Sequence, residues 1–286
     1  MRTLAAALCA VMLLLFSDAA MQSARAAAQT FASGVMPALF PMMVLCRLLP
    51  SSHMGKGSRF PLSAVMFGFL AGSPASAQRA EGMRRCGMSQ RHFERLLALT
   101  GVMSPMFFTG TLAGWMNCKF AAWIMLGAHW LGAAVAALLW EWVPADDRAQ
   151  AAEGCAQKRV TLPEAIIQSA RSLLAVCGAM MLFSILAGIL AQALGLILPR
   201  WTQEHAHWMA VLWAMMEIGG GAKAVIDSFP SPPGALLCAL CSFGGLSVWL
   251  QNLLFLGEKI HPAKLLCMRA LHGALAYAIF SLLSFL

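Results

Sequence analysis

This chain has little charge. Charged residues make up 11% of its 286 positions against 60% hydrophobic, and the mean hydropathy is +0.71. A helix of a soluble domain carries a polar stripe at helical spacing, and the windows 26–46, 120–140, 172–198 and 234–257 carry almost none. Each meets or exceeds the roughly 20 apolar residues that a bilayer core requires. Sustained alternation of apolar and polar residues is also missing, which argues against strands. No His-Glu-x-x-His pattern, phosphate loop or nucleophile elbow occurs, so nothing makes a case for an enzyme, a cofactor or a metal. Nine cysteines lie mostly inside apolar runs, without the spacing of a disulfide framework. Cys238 and Cys241 lack a second pair and read as small packing residues.

The charge that is present sits in short connections. The net charge of +8 gathers in Arg47, Lys56, Arg59, Arg79, Arg84, Arg85, Arg91 and Arg95, between apolar segments. That is the pattern of cytoplasmic loops in a multi-pass protein, and no nucleic-acid recognition module accompanies it. The segment 79–95 is therefore expected on the cytoplasmic side, and the charge-balanced connector 144–163 on the opposite one. Helices are expected near 4–20, 31–50, 61–77, 89–116 with an interruption, 119–143, 164–198, 207–226, 235–256 and 264–285. The short first run has the charge and apolar stretch of a signal peptide, and a retained helix is the favoured reading.

These segments predict an all-α, polytopic transmembrane bundle of two similar halves. An N-terminal helix occupies 1–30, a first repeat 31–143, the polar connector 144–163 and a second repeat 164–286. If one element per half is re-entrant and three cross fully, the odd count inverts the second half.

Two breaks carry the functional expectation. Gly72-Ser73-Pro74 and Ser242-Phe243-Gly244-Gly245 interrupt apolar segments, one in each half. Broken helices free backbone polar groups, which hydrocarbon tolerates only where they line a cavity or meet a ligand. Paired breaks point to a carrier's binding site for a small solute. Ser73, Pro74, Ser76 and Gln78 flank the first break, Ser104 a further break at 100–105, and Ser242, Gly244, Ser247 and Gln251 the one in the second half. Glu217-Ile218-Gly219-Gly220-Gly221-Ala222-Lys223 is the strongest polar cluster within an apolar segment. An ionisable group at membrane depth usually faces a cavity or a partner. The glycines are expected to unwind, so that Glu217, Gly220 and Lys223 face one cavity. The plainer reading is that Lys223 and Asp227 mark a helix end and snorkel. His129 and His272 read as hydrogen-bonded packing residues. The partners expected are membrane lipid and a small solute; a coupling cation and an oligomeric state are not indicated.

Several motifs appear in order: Met36-Pro37-Ala38-Leu39-Phe40-Pro41, Gly72-x-Pro74, Ser104-Pro105-Met106-Phe107-Phe108-x-Gly110, Glu217-Ile218-x-x-Gly221, Ser242-Phe243-Gly244-Gly245-Leu246-Ser247-Val248-x-x-Gln251 and Arg269-Ala270-Leu271-His272-Gly273. With them the chain resembles the YlbJ type of sporulation integral membrane protein, which carries nucleoside-recognition (Gate) domains. The resemblance implies a relation to concentrative nucleoside transporters, a bacterial cell or forespore membrane, and an anionic or nucleoside-like cargo such as dipicolinate. It departs at Ser76 and Gln78, where that family has a second glycine and a lysine, and at Gly101-Val102-Met103, where the family is richer in polar residues. The other reading is a non-transporting membrane scaffold of the same fold.

Overall fold

The computed structural model describes residues 2–49, 62–145, 160–231 and 233–284. Among these the chain is helical apart from short links and turns, with no strand. The first elements are α1 (Arg2–Leu15), α2 (Ser17–Thr30) and α3 (Met36–Leu48). A wide turn at Phe31–Val35 joins α2 to α3 directly before Pro37 and Pro41, whose missing amide hydrogens would break a regular ladder. The apolar stretch Ser17–Leu48 is thus continuous across residue 30. Next come α4 (Leu62–Ala71), α5 (Ala75–Arg85), α6 (Gln90–Thr100), α7 (Ala113–Met116) and α8 (Lys119–Leu139). The second half holds α9 (Leu162–Ile197), α10 (Pro199–Glu204), α11 (Ala206–Met216), α12 (Ile218–Ser228), α13 (Gly234–Phe243), α14 (Gly245–Leu256) and α15 (Pro262–Leu283). A reciprocal cap starts α9: Thr161 accepts from the Glu164 amide while the Glu164 carboxylate takes the Thr161 N–H.

Five stretches are long and apolar enough to cross a bilayer: Ser17–Leu48, Lys119–Trp142, Leu162–Ile197, Gly234–Lys259 and Pro262–Leu283. The protein is an all-α, multi-pass membrane bundle. A sixth stretch, 90–116, runs with them in pieces, as α6, an irregular link at 101–104, a wide turn at Phe107–Leu112 and α7.

Two helix pairs turn back on themselves. In the first, α4 and α5 meet at Gly72-Ser73-Pro74, and the Arg79 guanidinium of α5 lies 5.6 Å above the Phe67 ring of α4. In the second, α11 and α12 meet at Glu217, and their far ends touch where His207 packs on Phe229 at 5.3 Å. A Cβ placed on Gly221 would overlap the Ala214 backbone, so glycine is what lets α11 and α12 approach so closely. The segment read as one helix over 207–226 is this hairpin.

The two hairpins enter from opposite ends. At one end Lys264 pairs with Glu94 at 2.5 Å and donates to the Pro144 carbonyl at 2.9 Å. There too Arg95 meets Glu141 at 3.2 Å, and Gln90 donates to the Lys259 carbonyl at 3.0 Å. The α4–α5 hairpin opens toward this basic end, where Ala64 and Met83 share a core with Trp140, Ile260 and Leu265. The α11–α12 hairpin opens toward the other. Each half therefore has one span, one hairpin, one broken span and one closing helix, and the second half is inverted.

The connector departs from the charge-based expectation. Pro144 is held by Lys264 at the basic end, and Val160 lines a pocket there with Arg47, Gln78 and Arg79. Both described flanks of the connector thus share an end with the 79–95 segment. The cysteine reading is also corrected at one place. Cys46, Cys238 and Cys241 are buried free thiols, but Cys86 is disulfide-bonded.

Candidate functional site

Both hairpin tips seat on the break of the span that follows them. Gly72 has φ +67, which suits glycine, and a Cβ there would sit 2.6 Å from the Ser104 amide nitrogen. The neighbouring Ser73 N–H donates to the Val102 carbonyl at 2.6 Å. In the second half Gly244 and Gly245 take φ +79 and +72, and a Cβ on Gly245 would meet the Ala214 and Met216 carbonyls at 3.1 and 3.2 Å. The tip that corresponds to Gly72-Ser73-Pro74 is therefore Glu217, and the Ser-Phe-Gly-Gly break corresponds to 101–104. This crosses the pairing expected from sequence.

Once the halves are in register, their kinship shows in residues. Gly101 and Gly244, Ser104 and Ser247, and His129 and His272 are each separated by the same 143 positions. The two imidazoles stack with centroids 4.7 Å apart. His129 Nε2 accepts from the Met103 amide at 2.9 Å, so its Nδ1 carries the proton and donates to Ser242 Oγ at 2.7 Å. His272 donates from Nε2 to the His129 carbonyl at 2.8 Å. Both rings serve internal contacts.

Glu217 is 1% exposed, and its carboxylate caps α12. Oε1 accepts from the Gly219 amide and Oε2 from the Gly220 amide, each at 2.7 Å. A carboxylate on the first amides of a helix is favoured by both hydrogen bonding and the helix dipole. The glycines after it remain helical, contrary to the expected unwinding; the break is at Glu217 itself, which is extended. Lys223 does not reach Glu217. It pairs with Asp227 at 2.5 Å on the same helix, both side chains partly exposed, which is the plainer of the two readings.

Ser73, Ser104, Glu217 and Gln251 line one cavity, with Leu39, Phe107, Met180, Ile218 and Val248 among its apolar walls. Its cavity volume is about 60 Å³, room for a few water molecules in this conformation. Glu217 is the one charged side chain among the lining residues, and no lysine or arginine lines it. A second cavity shares Gly34, Val35, Phe107, Thr111 and Gly219 with the first and extends toward the end away from the basic one; Gly220 and Lys223 lie there. The other expected residues fall elsewhere. Pro74 precedes the first residue of α5, Ser76 lines a small adjoining space with Asn252, Arg269 and His272, and Gln78 accepts from Arg47 at 3.1 Å at the basic end. Ser242 is spent on His129, Gly244 lies against Arg269, and Ser247 Oγ is buried without a partner.

Arg269 is the residue that the site reasoning passed over. It is 2% exposed, and it donates from Nε to the Phe243 carbonyl at 2.8 Å and from Nη1 to the Gly101 carbonyl. Those carbonyls end α13 and α6, the first half of each broken span. A helix C-terminus carries roughly half a negative charge, so one guanidinium matches the two ends together without a carboxylate. The available signal was a cation within an apolar closing helix. Among the described residues no group of three or more His, Cys, Asp or Glu side chains is placed to hold a metal. Compared with known proteins, the chain matches no family model, no curated protein and no solved structure.

Proposed function

We propose that this protein is a membrane carrier for a small, polar, uncharged solute. The observation that supports the reading most is the convergence of Ser73, Ser104, Glu217 and Gln251, from two hairpin tips and two broken spans in inverted halves, on one cavity. Inverted repeats with discontinuous helices at a shared central site are the architecture of alternating-access carriers. The motif resemblance to nucleoside-recognition membrane proteins points to the same class. Charge chooses among its expected cargoes. A dianion such as dipicolinate would enter beside the Glu217 carboxylate with no cation on the wall, and two like charges 4 Å apart repel by about 4 kcal/mol at an effective dielectric of 20. Hydroxyl and amide groups suit Ser73, Ser104 and Gln251 instead. The solute enters through the second cavity, from the end opposite the basic loops. By the positive-inside rule that is the outer face.

Uptake by proteoliposomes tests this, with a panel of labelled nucleosides and aromatic carboxylates. Saturable nucleoside uptake is expected. Uptake of dicarboxylates alone would overturn the charge argument, and uptake of nothing on the panel by folded protein would favour the scaffold reading.

A further inference from the structure

A pocket at the basic end, away from the central cavity, collects donors without acceptors. It lies where α3, α5 and α9 meet and is lined by Cys46, Arg47, Gln78, Arg79, Val160 and Gln168. Arg47 donates from Nη1 to Gln168 Oε1 at 2.9 Å and from Nη2 to Ser172 Oγ at 2.7 Å and Gln78 Oε1 at 3.1 Å. Its Nε is buried with no partner, as are Arg79 Nε, Arg79 Nη1 and Gln78 Nε2. All four are nitrogen donors, and Arg79 as a whole is 8% exposed. An unpaired buried donor forfeits its hydration, and all four belong to side chains that line this one pocket, which points to a ligand that accepts hydrogen bonds.

The nearby carboxylates are already engaged. Glu81 is taken by Arg84 and Arg85, Glu94 by Lys264, and Glu141 by Arg95. No carboxylate of the described residues lies within ion-pair distance of Arg47 or Arg79. Two cations held around one pocket repel each other, and an anion between them relieves that repulsion. The guanidinium fork matches phosphate oxygens in particular, and the ends of membrane spans are where lipid phosphates lie.

We propose that this pocket binds a phosphate group, held by Arg47 and Arg79 with Gln78 as a further donor. The phosphate comes from the phosphodiester of an anionic lipid or from free phosphate, and the site is independent of the carrier reading. The test follows the thermal unfolding midpoint of the full-length protein in neutral detergent. It is titrated with phosphatidylglycerol, with diacylglycerol (the same tails without phosphate) and with inorganic phosphate. A saturable rise with phosphatidylglycerol and none with diacylglycerol is expected. Arg79→Gln should weaken that binding by about tenfold or more, the scale of one charge-assisted hydrogen bond. Arg85→Gln, outside the pocket, should leave it unchanged. Arg47→Gln gives the same comparison if Arg79→Gln does not fold. An equal rise with inorganic phosphate assigns the free anion as the source. Equal stabilisation by diacylglycerol, no stabilisation by either phosphate compound, or full stabilisation of both arginine variants would overturn the proposal.

Discussion

Replacing Glu217 by glutamine keeps its shape and removes its charge, and the geometry makes the consequence calculable. Both carboxylate oxygens accept an amide hydrogen at 2.7 Å, one from Gly219 and one from Gly220. A glutamine side chain can accept only one of them, and its NH₂ would face the other N–H donor to donor. Losing a hydrogen bond to a charged acceptor costs about 1.5–3 kcal/mol, and stranding a buried N–H costs about 1–3 kcal/mol more. The sum, about 2.5–6 kcal/mol, falls on the hairpin tip that seats against Gly245. Glu217→Gln should therefore lower the thermal midpoint of the purified protein as well as its uptake rate. Glu217→Asp separates the two effects. Aspartate keeps the charge and is a favoured N-cap residue, so stability should be largely kept. The shorter side chain withdraws from the cavity, and a higher KM for the solute is expected. A Glu217→Gln protein that melts with wild type and transports normally would refute both the capping account and the place of Glu217 in the site.

Other outcomes follow from the same contacts. Gly221→Ala should cost about 1–3 kcal/mol by overpacking against Ala214, read as lost folded yield, while Gly220→Ala should be neutral or stabilise α12 by up to about 1 kcal/mol. Arg269→Met leaves the Gly101 and Phe243 carbonyls unpaired and should destabilise by about 2–5 kcal/mol in thermal unfolding, with Arg269→Lys partway between. Single cysteines at Ser89, Pro144 and Glu258, on a cysteine-free background, should all label from one face of the membrane and one at Gln203 from the other. Labelling of Pro144→Cys and Ser89→Cys from opposite faces would break the inverted arrangement.

The spans were legible because their signal is redundant. In stretches such as 172–198 some twenty residues all report the same solvent. The tips were harder, because equivalent positions end their helices by different chemistry. One tip turns through Gly72 and Pro74, and the other through an extended Glu217 whose carboxylate takes the next amides. No residue identity connects them, so the eye pairs Gly-Ser-Pro with the glycine-rich stretch at 242–245. The Gly-x-x-Ser shared by 101–104 and 244–247 becomes visible only when the tips fix the register. Arg269 was legible as a charge in an apolar helix but not as a keystone, since its partners are backbone carbonyls and leave no trace in side-chain identity.

The connector shows which of two arguments is the stronger. Its balanced charge suggested the face opposite the arginine-rich segment, but the positive-inside rule is a bias of a few kcal/mol spread over many residues. Crossing number is a count. Between Arg95 and Pro144 the chain passes through the broken span 90–116 and then Lys119–Trp142, two traversals in opposite directions. An even number returns it to the face it left, whatever the connector carries. Lys264 confirms the closure, reaching Glu94 at the start of the first traversal and the Pro144 carbonyl at the end of the second. Where a re-entrant hairpin can be recognised, the parity of the remaining spans settles the sidedness of every loop relative to the others. Charge is then needed only to say which face is cytoplasmic.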